Sequence, residues 1–302
     1  MLGERPLRIL GIDFSGAADA GRKIWIAQGT IRRGRLHVES CRSAVDLFGC
    51  AARPESSCAA LVAYLRQLGP SAVGCDFPFS LPAQTIPETT WAAFLRGFTT
   101  RYPGAAAFHT RTHRQWGEPR RACDRAAATP FAPNNLRLYR QTYHGIGGVL
   151  APLVAAGDAR ALPLQAPRPG IPWLLECCPA SALKALGLYR PYKGTRADQL
   201  RQRLHILQGL SAAGLAQVPG ELRRTLLTQS GGDALDSVVA AWIAFRTVRD
   251  PSALWAGPTG WPPIEGFVYT GFPVRMDAEA STPAASARPR NAERRKGTAS
   301  TR

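Results

Sequence analysis

LRILGIDFSGA (Leu7–Ala17) is a short apolar strand that ends on a carboxylate: Ile9, Leu10 and Ile12 lead into Asp13, and Ser15-Gly16 then turns the chain. A charge at the tip of a buried strand is costly unless it is hydrogen-bonded or faces a cation. Working outward, a turn near Ala20-Gly21 leads to a second strand, Lys23 to Ile31, and Arg33-Gly34 turns into a third, Arg35 to Cys41. There Leu36 and Val38 alternate with Arg35, His37 and Glu39, as in a strand covered on one face. These strands predict an antiparallel meander. A helix over Ser57 to Leu68 follows, with Leu61, Tyr64, Leu65 and Leu68 on one side and Gly69-Pro70 as its stop. Ala72 to Asp76 is then a short buried strand that again ends on an acid.

Farther on, Trp91 to Phe98 and Leu136 to Val154 have helical patterns, separated by a Pro-, Gly- and Arg-rich stretch. Pro172 to Cys177 predicts a strand, followed by helices at Pro179 to Gly187, Arg196 to Gly209, Glu221 to Leu227 and Ala234 to Val248, and a final strand at Gly266 to Thr270. The pattern divides the chain into one domain over residues 1–275, an inserted Arg-rich lobe at about 78–170, and a disordered basic tail at 276–302.

Acids recur where apolar segments meet turns: Asp13, Asp76 in AVGCDFPFS, Glu176 in WLLECCPAS, and Asp233 and Asp236 in GGDALDSVVAAW. Brought together they make an all-oxygen site suited to hard divalent ions, Mg²⁺ or Mn²⁺. Each has a plainer reading. Asp13 and Asp76 also suit turns, and Glu176 a surface ion pair. Asp233 and Asp236 read as an N-cap and its capping-box partner. Against that cap, Leu235, Val238, Val239, Trp242, Ile243 and Phe245 make the helix apolar nearly all round, so its mouth is buried and the i, i+3 acids share a face.

Strand–strand–strand–helix–strand, with acids on the first and fourth strands, resembles the opening of a ribonuclease H-like fold: an α/β, mixed five-stranded sheet, here with a helical Arg-rich insertion. The segments GIDFSGA, VGCDFPFSLP, ECCPASALKALG, YKGTRADQLRQRLHIL, GGDALDSVVAAWIA and EGFVYTG resemble the domain of unknown function 429 family, described as predicted ribonuclease H-like nucleases. The resemblance runs from about Leu7 to Val274. It implies that Asp13, Asp76, Glu176, Asp233 and Asp236 form one catalytic, metal-binding cluster, and it implies no substrate. In a two-ion phosphodiester hydrolase, Asp13 would bridge the ions. Asp76 and one of Asp233 and Asp236 would complete their shells, with Glu176 as a further ligand. Two other readings compete. Asp13-Phe14-Ser15-Gly16-Ala17 is similar to the phosphate loop of sugar-kinase and actin-like ATPases, but that architecture needs two copies of the fold and a second Gly-rich loop. A non-catalytic nucleic-acid-binding protein with structural acids is the other.

The formal charge of +17 favours a nucleic-acid partner. Only four of the 38 Lys and Arg residues are lysine, a bias that arginine-rich codon usage also produces, so the charge is supporting evidence only. In the lobe, Arg114, Arg120, Arg121, Arg137 and Arg140 are candidates for phosphate contacts, interleaved with Tyr102, Phe108, Trp116, Phe131, Tyr139 and Tyr143 as stacking faces. His109, His113 and His144 read as ordinary polar contacts, with proton donation to a leaving group as the alternative. The seven cysteines show no CxxC spacing and no framework, which predicts buried free thiols in a reducing compartment. No run is long enough to span a membrane and the N-terminus lacks a signal-peptide core, so the expected location is cytoplasmic.

Overall fold

The computed structural model describes residues 8–250, 254 and 261–272. The meander forms as its alternation predicts, from β1 (Arg8–Asp13), β2 (Trp25–Arg32) and β3 (Arg35–Ser43), all antiparallel. Between β1 and β2 the chain makes one helical turn, α1 (Ala20–Lys23), rather than a bare turn. After α2 (Ala44–Phe48) and α3 (Pro54–Arg66) comes β4 (Ser71–Asp76), which lies parallel to β1.

The sheet is mixed and has six strands rather than five, in the order β3-β2-β1-β4-β6-β5. The extra strand is β5 (Arg160–Leu162), at the edge beside β6 (Trp173–Glu176) and parallel to it. Three residues are too few to show alternation, so β5 has no signature in the sequence and falls inside the stretch read as insertion. The strand expected at Gly266–Thr270 is instead a 3₁₀ turn at Pro263–Glu265 followed by a single bridge from Tyr269 to Cys177. The tail at 276–302 lies outside the described residues.

Helices cover both faces. The lobe contributes α4 (Trp91–Arg101), α5 (Ala105–Trp116), α6 (Ala122–Ala126) and α7 (Tyr139–His144). The last of these runs through a π-helical turn at Gly145–Leu150 into α8 (Ala151–Ala156), so the expected helix over Leu136–Val154 is interrupted. Then come α9 (Pro179–Ala185), α10 (Ala197–Ala212), α11 (Gly220–Thr228) and α12 (Asp233–Arg249). Strand periodicity sorts the core into two layers. Ile9, Ala27, Ala72 and Leu175 pack toward α12, α10 and α9. Leu10, Ile12, Ile26, Val73 and Cys75 pack toward α3, α4 and α8. Phe94, Phe98, Val149 and Leu153 of the lobe join that second layer, so part of the lobe is built into the main core. No helix among the described residues is long and apolar enough to cross a membrane.

Candidate functional site

Two glycines set the position of the acids. Gly11 on β1 and Gly74 on β4 are register partners. A Cβ at Gly11 would lie 2.0 Å from the Ser237 carbonyl oxygen, and one at Gly74 would lie 2.2 Å from that of Ala240. Lacking side chains, the pair forms a trough in which the α12 backbone lies directly on the sheet. Two residues farther along the strands, about 6.6 Å, are Asp13 and Asp76, themselves register partners. One helical turn back from Ala240, about 6 Å, is Asp236. The matching steps bring the strand ends and the helix mouth to the same level. This is how acids remote in the chain become neighbours.

Asp13 and Asp236 are buried and Asp76 is partly so. Asp13 and Asp76 stand side by side on adjacent parallel strands. Burial, followed by repulsion from Asp236, raises both carboxyl groups above the ordinary range, Asp76 to about 7. Lys193 opposes that shift. Its Nζ lies 2.7 Å from Asp236 Oδ2 and 4.0 Å from Asp233 Oδ1, and the acids hold the ammonium charged well above its usual range. Tyr192 donates its hydroxyl to Asp236 Oδ1 at 2.6 Å. Asp233 stands at the outer edge, where burial raises it and Lys193 lowers it, and it accepts a hydrogen bond from Gln229 at 3.2 Å. The N-cap of α12 is Gly232, in a left-handed conformation, and among the described residues no side chain caps the helix. The capping-box reading of Asp233 and Asp236 is therefore not realised, which leaves both carboxyl groups to the cluster.

Glu176 is near this cluster but differently engaged. Arg121 Nη1 donates to its Oε2 at 2.9 Å and Nη2 to its Oε1, while the Phe79 amide donates to Oε2 at 2.9 Å. The same guanidinium grips Asp124, with Nη2 to Oδ1 at 2.8 Å and Nε to Oδ2 at 3.0 Å. Glu265 braces the arrangement by accepting from the Ala83 and Ala122 amides at 2.8 and 2.6 Å. Burial raises the Glu176 carboxyl, and Arg121 pulls it back. Both oxygens of Glu176 are thus committed, so it is poorly placed as the further ligand expected above. Arg121 is 1% exposed and saturated with carboxylates. Arg121 lines the cleft, but its donors are taken up by Glu176, Asp124 and the Glu265 carbonyl, so the arrangement does not favour the expected phosphate contact.

A cleft of about 650 Å³ opens beside the cluster, reaching Asp76, Glu176 and Asp236 but not Asp13 or Asp233. Asp76, Glu176 and Asp236 lie in its wall with Lys193, and its rim carries Arg137, Arg190, Tyr189 and Phe131. The Arg137 guanidinium sits 5.5 Å from the Phe131 ring centre, and Tyr189 is among the exposed large side chains. Of the other lobe arginines, Arg140 lies against Tyr139 and Arg120 donates to the Pro130 carbonyl, both exposed. Arg114 lines a separate groove with Arg101 and Arg111.

Lys193, Tyr192, Tyr189 and Arg190 also belong to the site, although their local sequence does not single them out. All four sit in the run LYRPYKG (Leu188–Gly194) between helices, where neither periodicity nor an acid marked them. A basic and aromatic cluster in a Pro- and Gly-bounded loop was the available signal.

The family model described as Protein of unknown function (DUF429) matches residues 11–259. The chain belongs to this family. All five acids, Lys193 and the whole Arg-rich lobe fall within the DUF429 match, whereas Glu265 lies beyond it. No curated protein and no solved structure matches the chain.

Proposed function

We propose that the protein is a metal-dependent phosphodiester hydrolase acting on nucleic acid, built on a ribonuclease H-like sheet to which a sixth strand has been added. The observation that carries the reading is the convergence of Asp13, Asp76 and Asp236 at one end of β1, β4 and α12, with Asp76 and Asp236 lining a cleft that also carries basic and aromatic side chains. A meander followed by helix-linked parallel strands supports the fold reading.

The donor set fits Mg²⁺ or Mn²⁺: it is all carboxylate, buried and crowded enough to raise two of its members, and offset chiefly by the Lys193 ammonium. Asp13, Asp76 and Asp236 would hold the ions, with Asp233 at the margin. Glu176 instead fixes the cleft wall through Arg121 and the Phe79 amide. Bound ions would supply Lewis-acid polarisation of the phosphoryl group and a water acidic enough to attack at neutral pH. Arg137 and Arg190 bind the flanking phosphates, and Lys193 balances the acids and then the phosphoryl charge. Tyr189 and Phe131 offer faces on which bases stack, which favours a single-stranded or locally opened substrate. A cleft of about 650 Å³ is of the size that encloses a nucleotide-scale ligand.

The test is Mg²⁺- or Mn²⁺-dependent cleavage of single- and double-stranded DNA and RNA by wild type, Asp13→Asn and Asp236→Asn. Both variants are expected to lose activity by about 100-fold or more, since even outer-sphere partners of a metal centre are worth up to that. Unchanged cleavage by either variant overturns the assignment. Tight binding without cleavage in every divalent ion leaves a nucleic-acid-binding protein instead.

A further inference from the structure

We propose that His109, His113 and Glu118 form a second metal site, suited to a first-row transition ion such as Zn²⁺ and separate from the acidic cleft. His109 and His113 are four residues apart on α5, so they share a face of the helix. Their rings are nearly parallel, with centres 5.3 Å apart. Glu118 follows the turn at Gly117 that ends α5, and one ligand atom from each of the three residues lies within 4.8 Å of the others. His113 Nδ1 is 3.8 Å from Glu118 Oε1. Ligands held about 2.0–2.2 Å from a tetrahedral zinc ion stand roughly 3.4 Å apart. Closing the remaining gap takes small rotations of His113 and Glu118, both exposed.

Two further observations point to a ligand. His109 Nε2 is buried and has no hydrogen-bond partner among the described residues, an expensive state for a ring nitrogen and one that ligation by the imidazole would relieve if Nε2 is its ligand atom. Glu118 is also already oriented from behind: Asn135 donates to its Oε2 at 2.6 Å, and the Arg137 amide donates to Asn135 Oδ1 at 2.9 Å. Such outer partners aim the ligands of metal centres. Two imidazoles and one carboxylate select Zn²⁺, Co²⁺ or Ni²⁺ over Mg²⁺, and three protein ligands leave a fourth position for water. The exposed Arg111 and Arg114 on the same helix oppose a cation, and the Glu118 charge offsets them in part. Because the chain Glu118–Asn135–Arg137 ends at the cleft rim, the ion would tie α5 to the segment that carries Phe131 and Arg137.

The full chain, stripped with a chelator, is titrated with Co²⁺ and followed by its visible ligand-field bands. One saturable equivalent with the intensity of a four-coordinate centre is expected, displaced by Zn²⁺ and untouched by excess Mg²⁺. His109→Ala and His113→Ala are expected to weaken Co²⁺ binding by at least about 10-fold, and Asn135→Ala by about 10-fold. Asp236→Asn is expected to leave the bands intact, which separates this site from the acids. No saturable band in wild type, or a band undiminished in His113→Ala, overturns the proposal. His113 is decisive because its side chain is 51% exposed and its removal spares the core, whereas His109 packs against Tyr139.

Discussion

Replacing Asp76 with Asn should flatten the pH dependence of stability in the metal-free protein. Burial, and next the charge of Asp236, raises the Asp76 carboxyl from its ordinary 3.8 to about 7 in the folded state. A folded state with the higher value binds more protons than the unfolded chain between those limits. This group's stabilising contribution is therefore complete below about pH 3.8 and is lost as pH climbs through about 7. For an isolated group with that shift, linkage gives a loss of about 2.5 kcal/mol between about pH 5 and pH 7.5. Asp76 retains some solvent contact and shares its titration with Asp13, so about 1–2 kcal/mol is the expected difference. Urea unfolding of wild type and Asp76→Asn in chelator, across that range, measures it directly. Asp13 and Glu176 shift in the same direction in both proteins, so the quantity to read is the difference between the two curves. Added Mn²⁺ should restore wild-type stability at the alkaline end and do little for the variant. Parallel curves within about 0.5 kcal/mol would refute the claim that Asp76 is held in a crowded acid cluster.

Three other outcomes follow from the geometry. Arg121→Ala should cost about 3–5 kcal/mol in denaturant unfolding, because it strands the buried Glu176 and Asp124 without their shared counter-charge; a loss below about 1 kcal/mol would contradict the buried network. Gly74→Ala places a methyl 2.2 Å from the Ala240 carbonyl oxygen and should cost about 1–3 kcal/mol or more, lifting α12 and weakening metal binding in calorimetry. The double change Arg137→Ala with Arg190→Ala should weaken binding to single-stranded oligonucleotides and lower the slope of log affinity against log salt by about 1.4, whereas Arg121 contributes nothing to that slope.

Much of this arrangement was legible before any tertiary information. Alternation in Arg35 to Glu39, the unbroken apolar face of Ala234 to Val248, and acids ending β1, β4 and β6 follow from local chemistry. Period-two and 3.6-residue patterns are written along the chain itself. The three residues of β5 were not legible, because so short an edge strand is specified by its neighbour β6 rather than by its own pattern. Glu176 looked like its fellow acids for the same reason: one residue's sequence context does not reveal what faces it.

That carboxylates stand at the ends of buried segments is written locally in the chain, since burial of each segment follows from its own side chains. Their separate fates depend on contacts between segments far apart in the chain. Arg121, 55 residues before Glu176, neutralises that acid, whereas Lys193 arrives beside Asp236 from a loop with no marked pattern. Charge pairing acts through space over a few ångströms, and which charges come that close depends on how α12 lies in the trough left by Gly11 and Gly74.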